Sequence, residues 1–352
     1  MTNAANYDAI LLLSFGGPEG RDDVLPFLEN VTRGRNIPRA RLEQVAEQYY
    51  LFDGVSPINA INRTLIAGLR DLLDREGPAL PVYWGNRNWT PYLEDTVRQM
   101  AADGVRRALA FATSAYSSYS SCRQYREDVE RARAAVGPEA PEIDKIRPYW
   151  NHPGFLGTMT ERTRDALAAA PAGARLVFTA HSIPLGMAAN CDYEKQLREA
   201  AALVTAAVAP GQEWDLAWQS RSGPPTQPWL EPDINDHLTA LAGRGVGAVV
   251  VVPIGFVADH MEVKFDLDTQ AADTARRLGM TLVRAGTAGT SARFVAMIRD
   301  LVLERVEGRT PAFLGTLGPR PVPCPPDCCR WDPPHATPGG GPGRPAGPPG
   351  RP

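Results

Sequence analysis

Short apolar, β-prone runs alternate with amphipathic helical patterns along most of this 352-residue chain. The predicted strands cover residues 9–14, 81–85, 108–113, 175–180, 215–218, 248–254 and 281–284. Helical periodicity covers residues 41–50, 60–75, 93–103, 123–135, 158–170, 193–207, 233–242 and 268–278. Strands separated by helices of about 10–15 residues are typical of βαβ units with parallel strands. We therefore predict an α/β protein of two doubly wound, Rossmann-like lobes that face one another.

A Pro-rich joint between Gly137 and Pro153 predicts where the two lobes meet. The predicted domains are an N-terminal lobe (1–148), a C-terminal lobe (149–318), a cysteine-bearing segment (319–331) and a tail (332–352). The tail contains eight Pro and six Gly among its residues. Such a composition cannot build a core, so we predict that the tail is disordered.

Charge and hydropathy exclude several classes of protein. The net charge of −3, without any basic run, offers no binding stripe for nucleic acid. The first residues lack the cationic and apolar regions of a signal peptide. The longest apolar stretch, roughly residues 246–258, is too short to span a bilayer and contains Pro253. We expect a soluble, cytoplasmic protein.

Ionisable side chains cluster at the carboxyl ends of two predicted strands. Residues 259–268 follow the run 248–254, and in a helix Glu262 and Asp266 would share one face. His181 follows another strand. Strand ends of a parallel sheet converge, which predicts a cleft containing a histidine and a carboxylate pair. Taken singly, each feature has an ordinary alternative: a solvated helix start, or a hydrogen-bonded structural histidine.

Familiar catalytic motifs are missing from the sequence. No Gly-x-Gly-x-x-Gly or Walker loop supports nucleotide binding, and neither His-Glu-x-x-His nor Gly-x-Ser-x-Gly occurs. A histidine, carboxylates, aromatic side chains and arginines remain. These suit a planar, anionic, aromatic ligand that is handled together with a metal ion.

Several ordered motifs identify a family. They are Leu-Ser-Phe-Gly-Gly-Pro (13–18), Gly-Val-Ser-Pro (54–57), Phe-Thr-Ala-His-Ser-Ile-Pro (178–184), Trp-Gln-Ser-Arg-Ser-Gly-Pro (218–224) and Gly-Phe-Val-Ala-Asp-His-Met-Glu (255–262). With these motifs, roughly residues 7–315 resemble the ferrochelatases, enzymes that insert Fe²⁺ into a porphyrin late in haem synthesis. The resemblance implies two Rossmann-like lobes around a porphyrin cleft.

The resemblance also implies roles for particular residues. His181 and Glu262 match the catalytic pair of the site that handles Fe²⁺, and Asp266 matches a possible outer metal site. The next acid of the family pattern is replaced by Gln270 here. Porphyrin-lining positions are matched by five residues: Phe15, Arg33, Tyr49, Ser56 and Tyr125. Phe15 stands where some bacterial relatives carry a tyrosine, and phenylalanine cannot ligate iron.

The identity of the porphyrin follows from a missing feature. The chain has no apolar insertion like the membrane-docking lip of mitochondrial ferrochelatases, which favours coproporphyrin III over protoporphyrin IX as substrate. Three alternatives stay open: a ferrochelatase for protoporphyrin IX, a chelatase for Co²⁺ or Ni²⁺ with another tetrapyrrole, and a non-enzymatic carrier of tetrapyrrole or iron.

Three of the five cysteines, Cys324, Cys328 and Cys329, lie within six residues. In a cytosolic protein this crowding favours metal or iron–sulfur ligation over disulfides. Several ferrochelatases hold a [2Fe–2S] cluster with three C-terminal cysteines and one from the body of the chain. The resemblance therefore implies such a cluster, with Cys191 preferred as the fourth ligand and Cys122 as the alternative.

Overall fold

A computed structural model describes residues 7–223 and 226–331, and contains two four-stranded parallel sheets. The first sheet has the order β2-β1-β3-β4. Its strands are β1 (Ala9–Ser14), β2 (Val82–Asn86), β3 (Arg107–Ala112) and β4 (Glu142–Lys145). The second has the order β6-β5-β7-β8. Its strands are β5 (Arg175–His181), β6 (Trp214–Gln219), β7 (Ala248–Val252) and β8 (Thr281–Arg284). This confirms the predicted α/β fold.

Helices connect the strands and cover the sheets. In the first half they are α1 (Arg21–Val31), α2 (Arg39–Tyr50), α3 (Ile58–Glu76), α4 (Leu93–Ala102), π1 (Tyr119–Arg123) and α5 (Gln124–Val136). In the second half they are α6 (Pro153–Ala169), α7 (Leu185–Ala188), α8 (Tyr193–Val208), α9 (Ile234–Gly243), π2 (Val263–Ala271), α10 (Ala272–Arg277) and α11 (Ala292–Val306). The segments π1 and π2 are π-helical.

The central strands are buried on both sides. Every residue of β1 is buried, and in β7 the run from Val249 to Val252 is fully enclosed. Continuous apolar strands of this kind are expected where helices cover both faces of a parallel sheet. The residues at the carboxyl end of each central strand are therefore held in a fixed position between the helices that cover the sheet.

Both sheets have the same winding. In each, the chain moves from the first strand to one neighbour and then crosses to the other side, so the switch points lie between β1 and β3 and between β5 and β7. Ligands of doubly wound sheets bind in the crevice at such a switch point, outside the carboxyl ends of the strands.

The two halves share one hydrophobic core. Phe111 of the first sheet stacks on Tyr149, with ring centroids 4.9 Å apart, and both rings meet Phe294 of α11. The strand-end loops of the two halves also touch, because the Tyr116 hydroxyl donates to the Ile254 carbonyl at 3.1 Å. These contacts bring the two sheet edges together.

Four elements were not expected from the sequence: α1, β4, α7 and α11. α1 contains Pro26, which weakens its helical signal. β4 lies inside the predicted joint and is a half-exposed edge strand of mostly charged residues. The domain boundary at residues 148 and 149 stays a prediction, and the predicted tail lies outside the described residues. No helix in the described part of the chain is long and apolar enough to cross a membrane.

Candidate active site

His181 and Glu262 reach the same point from the two strands that flank the second switch point. His181 is the last residue of β5, and Glu262 precedes π2, beyond the loop that follows β7. The His181 Nε2 atom lies 3.5 Å from Glu262 Oε1, and the two side chains are 30% and 41% exposed. The expected proximity is therefore observed, while the catalytic role of the pair stays a prediction.

Backbone contacts fix the orientation of the imidazole. His181 Nδ1 contacts the carbonyl oxygen of Ser182, which it can approach only as an N–H donor. The Tyr193 hydroxyl donates to the His181 carbonyl at 3.2 Å. Nε2 is consequently the ring nitrogen directed at Glu262, and in the neutral imidazole it carries the free lone pair.

A second histidine holds the other oxygen of the carboxylate. His260 Nε2 lies 3.1 Å from Glu262 Oε2, and the ring of His260 packs on Phe256 with centroids 5.1 Å apart. The sequence analysis did not single out His260 as a site residue. Its position two residues before Glu262, in the same strand-end cluster, was the available signal.

The two charges change each other's acidity. Burial disfavours the charged imidazole, but the nearby Glu262 carboxylate and its hydrogen bond outweigh burial and raise the His181 pKa to about 9. Burial likewise disfavours a charged Glu262, yet His181 and His260 lower the pKa of that carboxyl well below its ordinary value. At neutral pH the site therefore holds an imidazolium–carboxylate pair.

Asp266 extends the acidic face along π2. Its carboxylate accepts a hydrogen bond from the Ser220 hydroxyl, and Gln219 donates to the Glu262 carbonyl at 3.1 Å. Burial raises the pKa of Asp266 to about 6, with a further contribution from the Glu262 charge. Gln219 and Ser220, at the end of β6, therefore tie π2 to the sheet. Sequence reasoning had noted their polar cluster but gave them no role.

The end of α2 lies next to π2, because the ammonium of Lys264 is 6.0 Å from the ring centroid of Phe52, two residues after α2. Aromatic side chains of the first half cluster there, and we call them the aromatic wall. Tyr49, at the end of α2, packs on Phe27 with ring centroids 6.0 Å apart, and Phe15 packs on the same ring at 6.2 Å. Burial and the charges of Glu262 and Asp266 raise the pKa of Tyr49 far above its ordinary value. Tyr49 belongs to this end of α2, beside π2.

The three other predicted porphyrin contacts have different surroundings. Ser56 is buried beside the Gly-Gly turn after β1, where a Cβ on Gly17 would lie 2.8 Å from the Ser56 hydroxyl. Arg33 is exposed and contacts Asn30. Tyr125 is buried in the core of the first half, with the guanidinium of Arg87 4.0 Å above its ring. Their roles toward a ligand stay predictions.

The cysteines gather at a second place, between π1 and the C-terminal segment. A cavity of about 460 Å³ is lined by Cys122, Cys324, Cys328 and Cys329. The Cys328 and Cys329 sulfurs are 3.5 Å apart, and the Cys324 thiol donates to the Pro321 carbonyl at 3.7 Å. Cys191 does not line the cavity. Within residues 7–223 and 226–331, no three His, Cys, Asp or Glu side chains stand together as a metal-holding group.

Comparisons with known proteins agree with this architecture. Residues 7–306 match the family model described as Ferrochelatase. The "Ferrochelatase" of Rhodopirellula baltica is 54% identical, with 95% of this chain and 96% of the relative covered. The "Coproporphyrin III ferrochelatase" of Nocardia farcinica is 56% identical, with 88% of this chain and 91% of the relative covered. The protein of the same name in Streptomyces coelicolor is 52% identical, with 93% of this chain and 94% of the relative covered.

A solved structure of low sequence identity has a similar fold. The sirohydrochlorin chelatase SirB from Bacillus subtilis subspecies spizizenii, in complex with cobalt, aligns with a TM-score of 0.53 at 12% identity. The alignment covers 86% of this chain and 97% of SirB. The family match spans most of the chain and the relatives exceed half identity, so this protein belongs to the ferrochelatase family.

Proposed function

We propose that this protein is a cytoplasmic enzyme that inserts Fe²⁺ into coproporphyrin III. The observation that carries the proposal is the pair of His181 and Glu262, 3.5 Å apart at a switch point. The aromatic wall of Phe15 and Tyr49, in the other half of the molecule, supports a planar aromatic ligand. The names of the relatives in Nocardia farcinica and Streptomyces coelicolor support the choice of porphyrin.

The pair suits the chemistry of metal insertion. Two pyrrole N–H protons must leave the porphyrin while hydrated Fe²⁺ exchanges its waters for the four ring nitrogens. Histidine and carboxylate bind Fe²⁺ without the stronger hold of thiolates. Two protein ligands leave the other coordination positions to water and then to porphyrin nitrogens.

Proton transfer depends on whether the pair of His181 and Glu262 holds a proton or Fe²⁺. With a pKa of about 9, His181 is protonated at neutral pH and cannot accept a proton. An arriving Fe²⁺ repels the imidazolium proton, which is transferred from Nε2 to solvent water and leaves the Nε2 lone pair free. Once the metal moves into the ring, the neutral imidazole and the carboxylate can accept the two pyrrole protons. Asp266, one turn along π2, is placed to attract hydrated Fe²⁺ toward Glu262.

The substrate choice has a direct test. Coproporphyrin III carries four carboxylates, and we propose that Arg33, Ser56 and Tyr125 contact them, with Arg33 suited to a bidentate contact. In an anaerobic spectrophotometric assay, we expect kcat/KM with Fe²⁺ to be about tenfold or more higher for coproporphyrin III than for protoporphyrin IX. Arg33→Lys should raise KM for coproporphyrin more than it changes kcat.

Other outcomes of that assay would redirect the assignment. Equal or reversed preference would contradict the coproporphyrin proposal. Faster insertion of Co²⁺ or Ni²⁺ into another tetrapyrrole would favour a different chelatase. Tight porphyrin binding without any metal insertion would favour a carrier.

We also propose a [2Fe–2S] cluster bound by Cys122, Cys324, Cys328 and Cys329. Two observations support the proposal: four thiols line one cavity, and its wall also carries seven Arg or Lys side chains against two carboxylates. The thiols would have to move together to hold a cluster, because they do not form a metal-holding group in the described residues. Basic side chains stabilise an anionic thiolate cluster. Cys122 thus replaces Cys191 in the proposal, because Cys191 hydrogen-bonds to the Met187 carbonyl instead (Sγ to O, 3.3 Å). A bound cluster would supply one-electron chemistry and would crosslink the C-terminal segment to π1.

Substituting Cys122 and Cys191 one at a time shows which of them is the fourth ligand of the proposed cluster. Protein purified anaerobically with Cys122→Ser should lose the visible iron–sulfur absorbance and the bound sulfide. Protein with Cys191→Ser should keep both, because that thiol lies outside the cavity. The opposite pattern would restore Cys191 as the ligand, and absence of absorbance in wild type would remove the cluster from the proposal.

A further inference from the structure

The last described part of the chain crosses both halves of the molecule. We call residues 307–331, which follow α11, the C-terminal strap; they lie beyond the residues that match the family model. The strap has no regular helix or strand, yet it is anchored at several points. The buried Arg147–Glu304 pair binds the strap backbone at Ala312, and Glu199 accepts from the backbone N–H groups of Thr316 and Leu317.

The far end of the strap reaches the loop that follows His181. We call residues 182–192, between β5 and α8, the active-site loop; it contains α7. The indole of Trp331 packs on Gly186 so closely that a Cβ on this glycine would lie 2.7 Å from the Trp331 ring. Arg320 of the strap donates to Asp192 at the other end of the loop, at 2.6 Å.

Both ends of the active-site loop are tied to His181. Ser182 directly follows His181 and accepts the hydrogen bond from its ring. Tyr193, directly after the loop, donates to the His181 carbonyl at 3.2 Å. A displacement of the loop therefore changes both contacts that orient the imidazole toward Glu262.

We propose that Trp331 is a positioning residue for the active site: by packing on Gly186 it holds the active-site loop and, through the loop, the His181 imidazole. The inference rests on the proposed function for its effect on catalysis. Reaction rates are sensitive to displacements of about 1 Å in a catalytic group, even when the cause lies outside the site. Trp331 touches neither His181 nor Glu262 in the described contacts, so it acts through the loop.

A double-mutant cycle tests this contact. We expect Trp331→Ala to lower kcat for Fe²⁺ insertion about tenfold while KM for coproporphyrin III changes less than about twofold. Gly186→Ala should also lower kcat, because the new methyl group collides with the indole. In the Trp331→Ala background the collision is gone, so adding Gly186→Ala should cause no further loss. Trp331→Phe should keep most of the activity.

A matched control comes from the strap itself. The Leu317 side chain is 49% exposed, so Leu317→Ala should leave kcat unchanged. Additive losses from Gly186→Ala and Trp331→Ala, or a loss in Leu317→Ala as large as in Trp331→Ala, would overturn the inference. Trp331→Phe and Gly186→Ala keep the test valid if Trp331→Ala does not fold.

Hydrogen exchange separates this inference from the proposed function. Amide exchange rates are compared between wild type and Trp331→Ala. Amides of the active-site loop should exchange about tenfold faster in the variant, while the exchange rates of β7 amides should be the same in both proteins. If the amides of the active-site loop are equally protected from exchange in both proteins, the inference is wrong even if the enzyme is a ferrochelatase. If wild type inserts no metal but the active-site loop of Trp331→Ala still exchanges faster as expected, only the proposed function is overturned.

Discussion

His181→Ala is expected to lower kcat for Fe²⁺ insertion into coproporphyrin III by about a thousandfold, the usual contribution of a positioned acid–base group. The substitution removes the ring nitrogen that lies 3.5 Å from Glu262 Oε1, and with it one of the two groups of the proposed catalytic pair. Porphyrin binding should persist, because the aromatic wall of Phe15 and Tyr49 belongs to the other half of the molecule. Anaerobic turnover and quenching of porphyrin fluorescence measure the two effects separately.

His237 provides a matched histidine control. Its side chain is 12% exposed, against 30% for His181. His237 pairs with Asp215 at 3.3 Å, at the amino-terminal end of β6 and so at the opposite end of that strand from the candidate site. His237→Ala should therefore insert Fe²⁺ at a rate close to that of wild type. Near-normal turnover by His181→Ala would contradict the assignment of the catalytic pair.

Glu262→Gln is expected to reduce turnover about a hundredfold and to lower the pKa of His181 from its value of about 9. The amide keeps the size of the side chain but removes the charge that opposes the effect of burial on the imidazole. With that charge gone, burial favours the neutral ring, so the pKa must fall rather than rise. Titration of the His181 ring protons by NMR measures the change directly.

Asp266→Asn is the comparison for this second prediction. Asp266 also raises the His181 pKa, but it contributes less than Glu262 does. The pKa of His181 should therefore fall less in Asp266→Asn, and kcat should change less than KM for Fe²⁺. A His181 pKa that stays near 9 in Glu262→Gln would show that the two groups are not paired in solution.

Much of the fold was predictable because the signals are local. The apolar runs of β1 and β7 specify buried strands, and the helical periodicity between strands specifies parallel crossovers. α11 was not predicted because it lies after the last predicted strand, outside the alternation of strands and helices. Its apolar residues are nevertheless deeply buried. β4 was missed because a half-exposed edge strand of charged residues has little hydrophobic pattern.

Part of the candidate site was also predictable from strand ends. His181 and Glu262 each follow a central strand, and parallel strand ends converge by geometry. The contact of His260 with Glu262 and the hydrogen bond from Ser220 to Asp266 required side-chain directions that depend on the course of π2. A nine-residue π-helix leaves no clear periodic signal in the sequence.

The sequence alone determined the α/β class, the family and the two side chains at the ends of the central strands, because periodicity and motifs are properties of neighbouring residues. Only the tertiary structure decided that Cys122, and not Cys191, lines the thiol cavity, and that Trp331 packs on Gly186. Those contacts join residues more than a hundred positions apart. Their formation depends on how the strap crosses the two packed halves, which no local pattern specifies.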